Sequence, residues 1–159
     1  MKRLEALEKL QLSRAEWDAL VASVPEDSWQ IEAWPGGWNL RDIIAHVDFY
    51  EWWAGELVRK RDWPEVDPSL NTVDTDARNN ALHELNKDRT FDEVRSDSER
   101  CHRSLIDALE GLTDAEFDNP TLLGMEGPGW RVEEIAGSQI WGHYEMHKPH
   151  IAAILAASS

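Results

Sequence analysis

The feature that most constrains the fold of this chain is its hydrophobic periodicity. Apolar residues recur every three to four positions in four long stretches, which is typical of helices that bury one face. No convincing run of alternating apolar and polar residues, the pattern of a half-buried strand, accompanies them. The pattern predicts helices at about residues 2–24, 40–61, 91–111 and 131–156.

Local signals refine these helices. Asn39 is the expected N-cap of the second helix, and Asp42 places a carboxylate at its positive end. Ser13 and Glu16 form a capping-box pattern, which allows a break in the first helix near Leu12. Between the second and third long helices, the pattern predicts a short extra helix at about residues 75–85.

Four long helices without strands predict an all-α fold, a four-helix bundle formed by a single domain over residues 1–159. The connection between the second and third long helices spans close to 30 residues. Short loops force neighbouring helices to be antiparallel, whereas a long connection permits a crossover. An up-down-down-up order, with the short helix inside the crossover, is therefore at least as consistent with the sequence as a simple up-down-up-down order.

Composition excludes several classes of partner. The chain carries 31 Asp and Glu against 16 Lys and Arg, a net charge of -15. Because nucleic-acid phosphates and anionic lipids are held mainly by Lys and Arg, we expect neither a nucleic acid nor a membrane as partner. Cys101 is the one cysteine, and the N-terminal segment carries glutamates where a signal peptide is apolar. These features predict a cytoplasmic protein.

Three histidines are the residues that point to chemistry. His46 lies on the inward, aromatic side of the second helix, and His143 and His147 lie one turn apart in the apolar stripe of the fourth. Buried imidazoles can be satisfied singly by carbonyls, carboxylates or water, or together by one divalent metal. A pair formed by His147 and His150 is the competing assignment. Pro149 argues against it because proline bends the helix just past His147.

Several neighbours have two interpretations each. Asp42 is a candidate for orienting His46, although helix capping is favoured. Tyr50 and Trp53 are candidates for a pocket wall, with core packing favoured, and Gln139 is a candidate for a hydrogen bond to a ligand.

Other polar residues are expected to lie away from this site. On the helical wheel, Asp48 and Glu51 point away from His46, so no general base is assigned. His83 and His102 have polar neighbours and are expected at the surface. Cys101 is expected to be a packed thiol.

Two segments resemble a known family. Residues 37–46, GWNLRDIIAH, resemble the second-helix signature of the DinB/YfiT-like superfamily, and residues 143–147, HYEMH, resemble its fourth-helix histidine pair. Residues 86–94, NKDRTFDEV, with residues 105–117, resemble the branch that contains the colibactin self-protection proteins. The resemblance implies an up-down-down-up bundle, often dimeric. It also implies a three-histidine divalent metal site at His46, His143 and His147.

The resemblance also implies a range of functions, because the superfamily includes thiol-dependent transferases and isomerases and amide-type hydrolases. Our leading hypothesis is a metal-dependent hydrolase or group transferase that acts on a small organic molecule, as a homodimer, with Zn or Ni as its metal. A second hypothesis is a non-catalytic protein that binds or sequesters a small molecule. A third is a structural dimer in which the metal pins two helices.

Overall fold

The computed structural model describes residues 1–34, 36–125 and 127–158, and its described residues form helices and turns with no β-strand. Trp34 and Trp38 form an isolated bridge. The all-α prediction is confirmed. No helix in the described ranges combines the length and apolar character needed to cross a membrane. The helices, in chain order, are α1 (Arg3–Ala22), α2 (Leu40–Lys60), α3 (Thr75–Asn86), α4 (Phe91–Glu110), α5 (Asp114–Phe117), α6 (Val132–Ala136) and α7 (Gly142–Ala157).

The long helices α2 and α4 pack against each other in parallel. Near the start of both helices, the Arg41 guanidinium donates to the backbone carbonyl of Arg89 over 3.2 Å. Near their ends, Arg59 donates to the Ser104 hydroxyl over 2.7 Å. The two helices form the most extensive helix pair of the bundle. Parallel neighbours require a crossover, and the connection that supplies it contains α3, as predicted.

The helices α1 and α7 also run parallel to each other. The Lys9 ammonium lies 4.7 Å from the ring centroid of Trp141, just before α7. Further along both helices, Lys148 pairs with Glu16 over 2.7 Å. Residues later in α1 therefore contact residues later in α7, as they do when two helices are parallel.

The helices α2 and α7 run antiparallel. The ring of Tyr50 lies 4.7 Å from the ring of His143. The earlier residue His46 reaches further along α7, with its ring 5.0 Å from that of His147. Combined with the two parallel pairs, this crossing confirms the up-down-down-up order.

Capping at the start of α2 follows the sequence. The Asn39 side chain accepts a hydrogen bond from the Asp42 amide, and the Asp42 carboxylate accepts one from the Asn39 amide, each over 3.2 Å. The break near Leu12 does not occur, because α1 continues through Ser13. Packing of one straight face of α1, which buries Leu10 and Trp17 among others, outweighs the local capping signal.

The helix predicted at about 131–156 is divided by a π-helical turn, Gly137–Trp141, between α6 and α7. The amide of Gly142 donates to the carbonyl of Gly137, five residues back. A Cβ at Gly142 would lie 2.5 Å from that oxygen, too close for any side chain. A π-turn inserts an extra residue and so changes the direction in which the following side chains face. Here the residue that follows is His143.

Substituting Gly142 by Ala should therefore distort the π-turn and lower the free energy of unfolding by about 1–3 kcal/mol. The matched control is Gly137→Ala in the same turn, where a new Cβ would meet only the Trp141 ring, at 3.5 Å. That variant should keep or gain stability, by up to about 1 kcal/mol from helix propensity. Urea unfolding of both variants checks the prediction. Equal stabilities would contradict it.

Candidate metal centre

The structure brings together the three histidines that the sequence singled out. His46 on α2 and His143 and His147 on α7 each offer one ring nitrogen, and these nitrogens all lie within 4.8 Å of one another. The Nε2 atoms of His46 and His143 are 2.9 Å apart. All three side chains are buried, His147 completely. Among the described residues, they form a group that could hold a metal ion.

The hydrogen bonding of these rings is incomplete. Within the described part of the chain, Nδ1 of His46, Nδ1 of His143 and Nε2 of His147 are buried without a hydrogen-bond partner. Each such atom costs about 1–3 kcal/mol. Two nitrogens bound at right angles to one cation, each at about 2.0–2.1 Å, lie about 3 Å apart. The separation between His46 and His143 suits such a pair of ligands, so the donor set fits a divalent metal.

The rings are neutral at neutral pH. Burial lowers the pKa of His46 to about 3, aided by neighbouring His143. Burial likewise lowers the pKa of His143 to about 4, against the opposing effect of the Gln139 carbonyl. The pKa of His147 is lowered to about 2, chiefly by burial and further by the adjacent histidines. Neutral imidazoles keep the lone pairs that bind a metal, so no proton must leave before binding.

His150 supports this site from outside the group of three. Its Nδ1 lies 3.2 Å from Nδ1 of His147, which leaves Nε2 of His147 free to face a ligand. Metal-binding histidines usually hydrogen-bond through their second nitrogen, and His150 lies where it could serve His147 in this way. The competing assignment of His147 and His150 as a ligand pair is therefore not favoured.

Trp34 covers one side of the histidines, and nothing in the sequence analysis anticipated it. Its ring stacks on His147 at 4.3 Å and on His150 at 4.5 Å between centroids. The backbone at Gly36 and Gly37 has φ of +102° and +82°, a conformation that glycine adopts without strain. These glycines return the chain toward α2 after Trp34. The sequence signal was a Trp-rich, Gly-rich turn directly before the helix that carries His46.

Aromatic rings form the other walls. Trp38 meets His46 edge-on at 5.2 Å between centroids, and Tyr50 meets His143 edge-on at 4.7 Å. Tyr50 therefore contacts His143, and its role as a pocket wall rather than as core packing stays a prediction. Trp53 instead packs against Trp63 at 5.5 Å.

The remaining candidates make other contacts. Asp42 caps α2 and accepts from Arg41 over 2.7 Å, so its carboxylate serves the helix start. The Gln139 amide donates to the hydroxyl of the preceding residue over 3.3 Å, and only the backbone of Gln139 affects the pKa of His143.

His83 and His102 are not the surface residues that we expected. His83 stacks on Trp38 with centroids 5.6 Å apart, and its side chain is only 25% exposed. His102 lies with Nδ1 3.1 Å from a carboxylate oxygen of Glu51, and its side chain is 18% exposed. Polar sequence neighbours misled the prediction, because partners from other helices cover both rings.

A second buried polar cluster lies on another face of α2. Glu51 is completely buried and accepts a hydrogen bond from Arg14 over 2.9 Å. Arg14 also donates to the Ser98 hydroxyl over 2.9 Å. The Tyr144 hydroxyl donates to Glu51, and burial together with that carboxylate raises the pKa of Tyr144 well above its usual value. The sequence placed Glu51 away from His46 but did not anticipate this cluster.

Asp48 and Cys101 lie beside this second cluster. Both carboxylate oxygens of Asp48 are buried without a hydrogen bond of normal geometry. Burial and the charge of Glu51 raise the pKa of Asp48 well above its ordinary value. Burial, and to a smaller extent the charges of Asp48 and Glu51, raises the pKa of the Cys101 thiol to about 12. A thiol with so high a pKa is a poor nucleophile, which agrees with the expected packed thiol.

A cleft of about 680 Å³ lies elsewhere, between α1 and α4. Trp17, Trp29 and Phe91 contribute to its lining. Arg14 at this cleft already donates to side chains of the protein, so its guanidinium is engaged. The histidines, rather than this cleft, are the candidate functional site, because three side chains that could bind one metal ion converge there.

Replacing Asp48 by Asn should stabilise the protein at neutral and alkaline pH. The pKa of Asp48 in the folded protein is raised above the unfolded value of 3.8. Between these two pKa values, the folded protein keeps the Asp48 proton that the unfolded chain has lost. Wild-type stability should therefore fall as the pH rises above about 4, by up to about 1.4 kcal/mol per pH unit, until the folded-state pKa is reached. Asp48→Asn removes that slope. Urea unfolding at about pH 4 and about pH 8 measures it.

The control for this comparison is Asp107→Asn, which changes an exposed carboxylate. It should change stability by less than about 0.5 kcal/mol at either pH. An Asp48→Asn variant with the same pH dependence as the wild type would show that Asp48 is ionised in the folded protein.

Comparisons with known proteins agree with the fold. The chain matches the DinB superfamily over residues 9–151. A crystal structure of an uncharacterised protein from Escherichia coli UTI89 superposes with a TM-score of 0.73 at 9% identity, covering 99% of this chain and 94% of that one. At this identity the likeness shows a shared fold alone. No curated protein matches the sequence significantly. The family match spans most of the chain, and the chain therefore belongs to the DinB superfamily.

Proposed function

We propose that the protein is a metal-dependent enzyme that hydrolyses a small organic molecule or transfers a group to or from it. The observation that carries the proposal is the convergence of three neutral, buried imidazoles with incomplete hydrogen bonding, at His46, His143 and His147. Membership in the DinB superfamily supports it, since metal-binding proteins are found there.

Zn and Ni are the metals we favour, because imidazole nitrogen is a good ligand for both. Three protein ligands leave coordination positions for water or substrate, whereas a structural zinc site is closed by four. When bound, such a cation supplies Lewis acidity, which activates water or polarises an electrophilic centre. His150 would hold the His147 ring in the orientation that presents Nε2.

The walls of the site favour an uncharged, partly apolar substrate. Trp34, Trp38 and Tyr50 present aromatic rings to the histidines. Among the described residues, no Lys or Arg hydrogen-bonds to or pairs with the three imidazoles. A phosphate or carboxylate group would therefore have the metal, and no neighbouring Lys or Arg of the described residues, as its cationic partner.

Three finer points stay predictions: relation to the branch with the colibactin self-protection proteins, assembly as a homodimer, and a cytoplasmic location. The thiol-dependent transferases and the amide-type hydrolases of the superfamily remain the two reaction classes that we consider.

Protein purified without a histidine tag should contain about one divalent metal per chain. His46→Ala, His143→Ala and His147→Ala should each weaken binding of Zn²⁺ or Ni²⁺ by about 100-fold or more, because each removes one of three ligands. Metal should also stabilise the wild type, by about 4 kcal/mol at a free concentration 1,000 times Kd. Elemental analysis and chelator competition measure content and affinity.

The matched control is His150→Ala, which removes a neighbouring imidazole that lies outside the group of three. It should weaken metal binding by about 10-fold, the lower end of the range for a residue that only orients a ligand, and so by less than the loss of any one of the three ligands. Failure of the wild type to bind any divalent metal would refute the site. A loss as large for His150→Ala as for His143→Ala would instead favour the rival ligand pair.

Vacant coordination positions separate an enzyme from a structural metal. Azide added to the Co²⁺-substituted protein should change its visible absorption spectrum, because a small anion can occupy a vacant position. Azide could instead leave the spectrum unchanged, with band intensities typical of a closed four-coordinate site. That result would favour a structural metal that only joins α2 to α7. His83→Ala, which alters a ring outside the group of three, should leave the azide response unchanged.

A further inference from the structure

Glu51 links α2 to three other helices. One of its carboxylate oxygens accepts from Arg14 on α1 over 2.9 Å. The other lies 3.1 Å from Nδ1 of His102 on α4 and accepts from the Tyr144 hydroxyl on α7. No part of the Glu51 side chain reaches solvent. A single residue of α2 thus makes polar contacts with all the other long helices.

Stability alone does not account for this cluster. Removing two charges from water is costly, and apolar residues of similar volume often give equal or greater stability. Buried polar groups do, however, accept only a narrow range of geometries, because an unpaired donor or acceptor in the core carries a large penalty. A cluster of this kind therefore suits a place where helices must meet in one relative position.

The contact between α2 and α7 is such a place. The main packing partner of α2 is α4, and its direct contact with α7 is much smaller. Tyr144 directly follows His143, and its ring stacks on Trp17 with centroids 5.5 Å apart. The link between Tyr144 and Glu51 therefore joins α2 and α7 five residues further along α2, and one residue further along α7, than the contact between His46 and His143.

We propose that the hydrogen bond from Tyr144 to Glu51 is a positioning pair for the metal centre. It holds α7 against α2 so that His143 meets His46 before any cation is present. This inference rests on the proposed function, because it assigns a role in metal binding to residues that do not touch the metal. Ligand atoms misplaced by more than about 0.5 Å bind a cation poorly, so a small shift of α7 would lower the metal affinity of the site.

Tyr144→Phe tests the pair directly, since it deletes one hydroxyl and keeps the ring that stacks on Trp17. The matched control is Ser98→Ala, which deletes one buried hydroxyl from the same cluster. The Ser98 hydroxyl accepts from Arg14 and so joins α1 to α4, not α2 to α7. Both variants are compared with the wild type for Zn²⁺ affinity by chelator competition, for the visible spectrum of the Co²⁺ form, and for unfolding in urea without metal.

We expect Tyr144→Phe to weaken Zn²⁺ binding by about 10-fold or more and to alter the Co²⁺ spectrum, as losses outside the ligand set commonly do. Ser98→Ala should stay within about twofold of the wild-type affinity, with an unchanged spectrum, even if the two variants lose similar stability. Glu51→Asp is the second variant. It keeps the charge that Arg14 requires but withdraws the carboxylate from Tyr144, and should weaken Zn²⁺ binding in the same way.

Wild-type affinity in Tyr144→Phe, or an equal loss in Ser98→Ala, would overturn the positioning role and leave the proposed function intact. If the wild-type protein binds no divalent metal, both the positioning role and the proposed function are refuted. These outcomes are distinct, because the first requires a functional metal site in the wild type and the second excludes one.

Discussion

The crossing of α2 and α7 is the constraint on which the rest of the structure depends. It removes three imidazoles from water and leaves nitrogen atoms of His46, His143 and His147 without hydrogen-bond partners. A bundle interior does not tolerate such atoms without cost, and a cation that accepts one lone pair from each of the three rings would offset part of the cost of burying them. Binding of the metal and stability of the bundle are therefore expected to be coupled. The aromatic rings that cover this crossing suit neutral imidazoles, because they exclude water and carry no charge.

The two faces of α2 separate two kinds of polar chemistry. His46 faces neutral rings, whereas Asp48 and Glu51 face the cluster that contains Arg14 and Ser98. A carboxylate placed directly beside the histidines would favour their protonated forms, and the added proton would occupy a lone pair that a metal needs. Directing the acids to another face keeps the imidazoles neutral. It also places the charged hydrogen bonds where they join helices.

Much of the fold was predictable, because its signals are local. Periodicity placed α1, α2 and α4 within about two residues of their observed ends, and Asn39 marked the start of α2. The π-turn was not predictable from the same signals, since nothing in the sequence distinguishes Gly142 from an ordinary helical residue. Its close approach to the carbonyl of Gly137 is a feature of the tertiary structure. Likewise, Arg14 and Glu51 occupy the apolar stripes of α1 and α2. That position was the available sign of a buried ionic cluster, and it was outweighed by the usual exposure of charged residues.

The order of residues along the chain established the helix-forming segments and the three imidazoles on inward faces, and the acidic composition is the ground for expecting neither a nucleic acid nor an anionic membrane as partner. Each of these follows from spacing within a few turns or from composition. Which atoms meet is a different matter, because His46 and His143 are 97 positions apart and their approach depends on how separate helices pack. Packing also placed His150 beside His147, brought Trp34 over the rings, and directed Glu51 to Tyr144. Contacts between distant segments arise only when whole helix faces are buried together, and no local pattern encodes them.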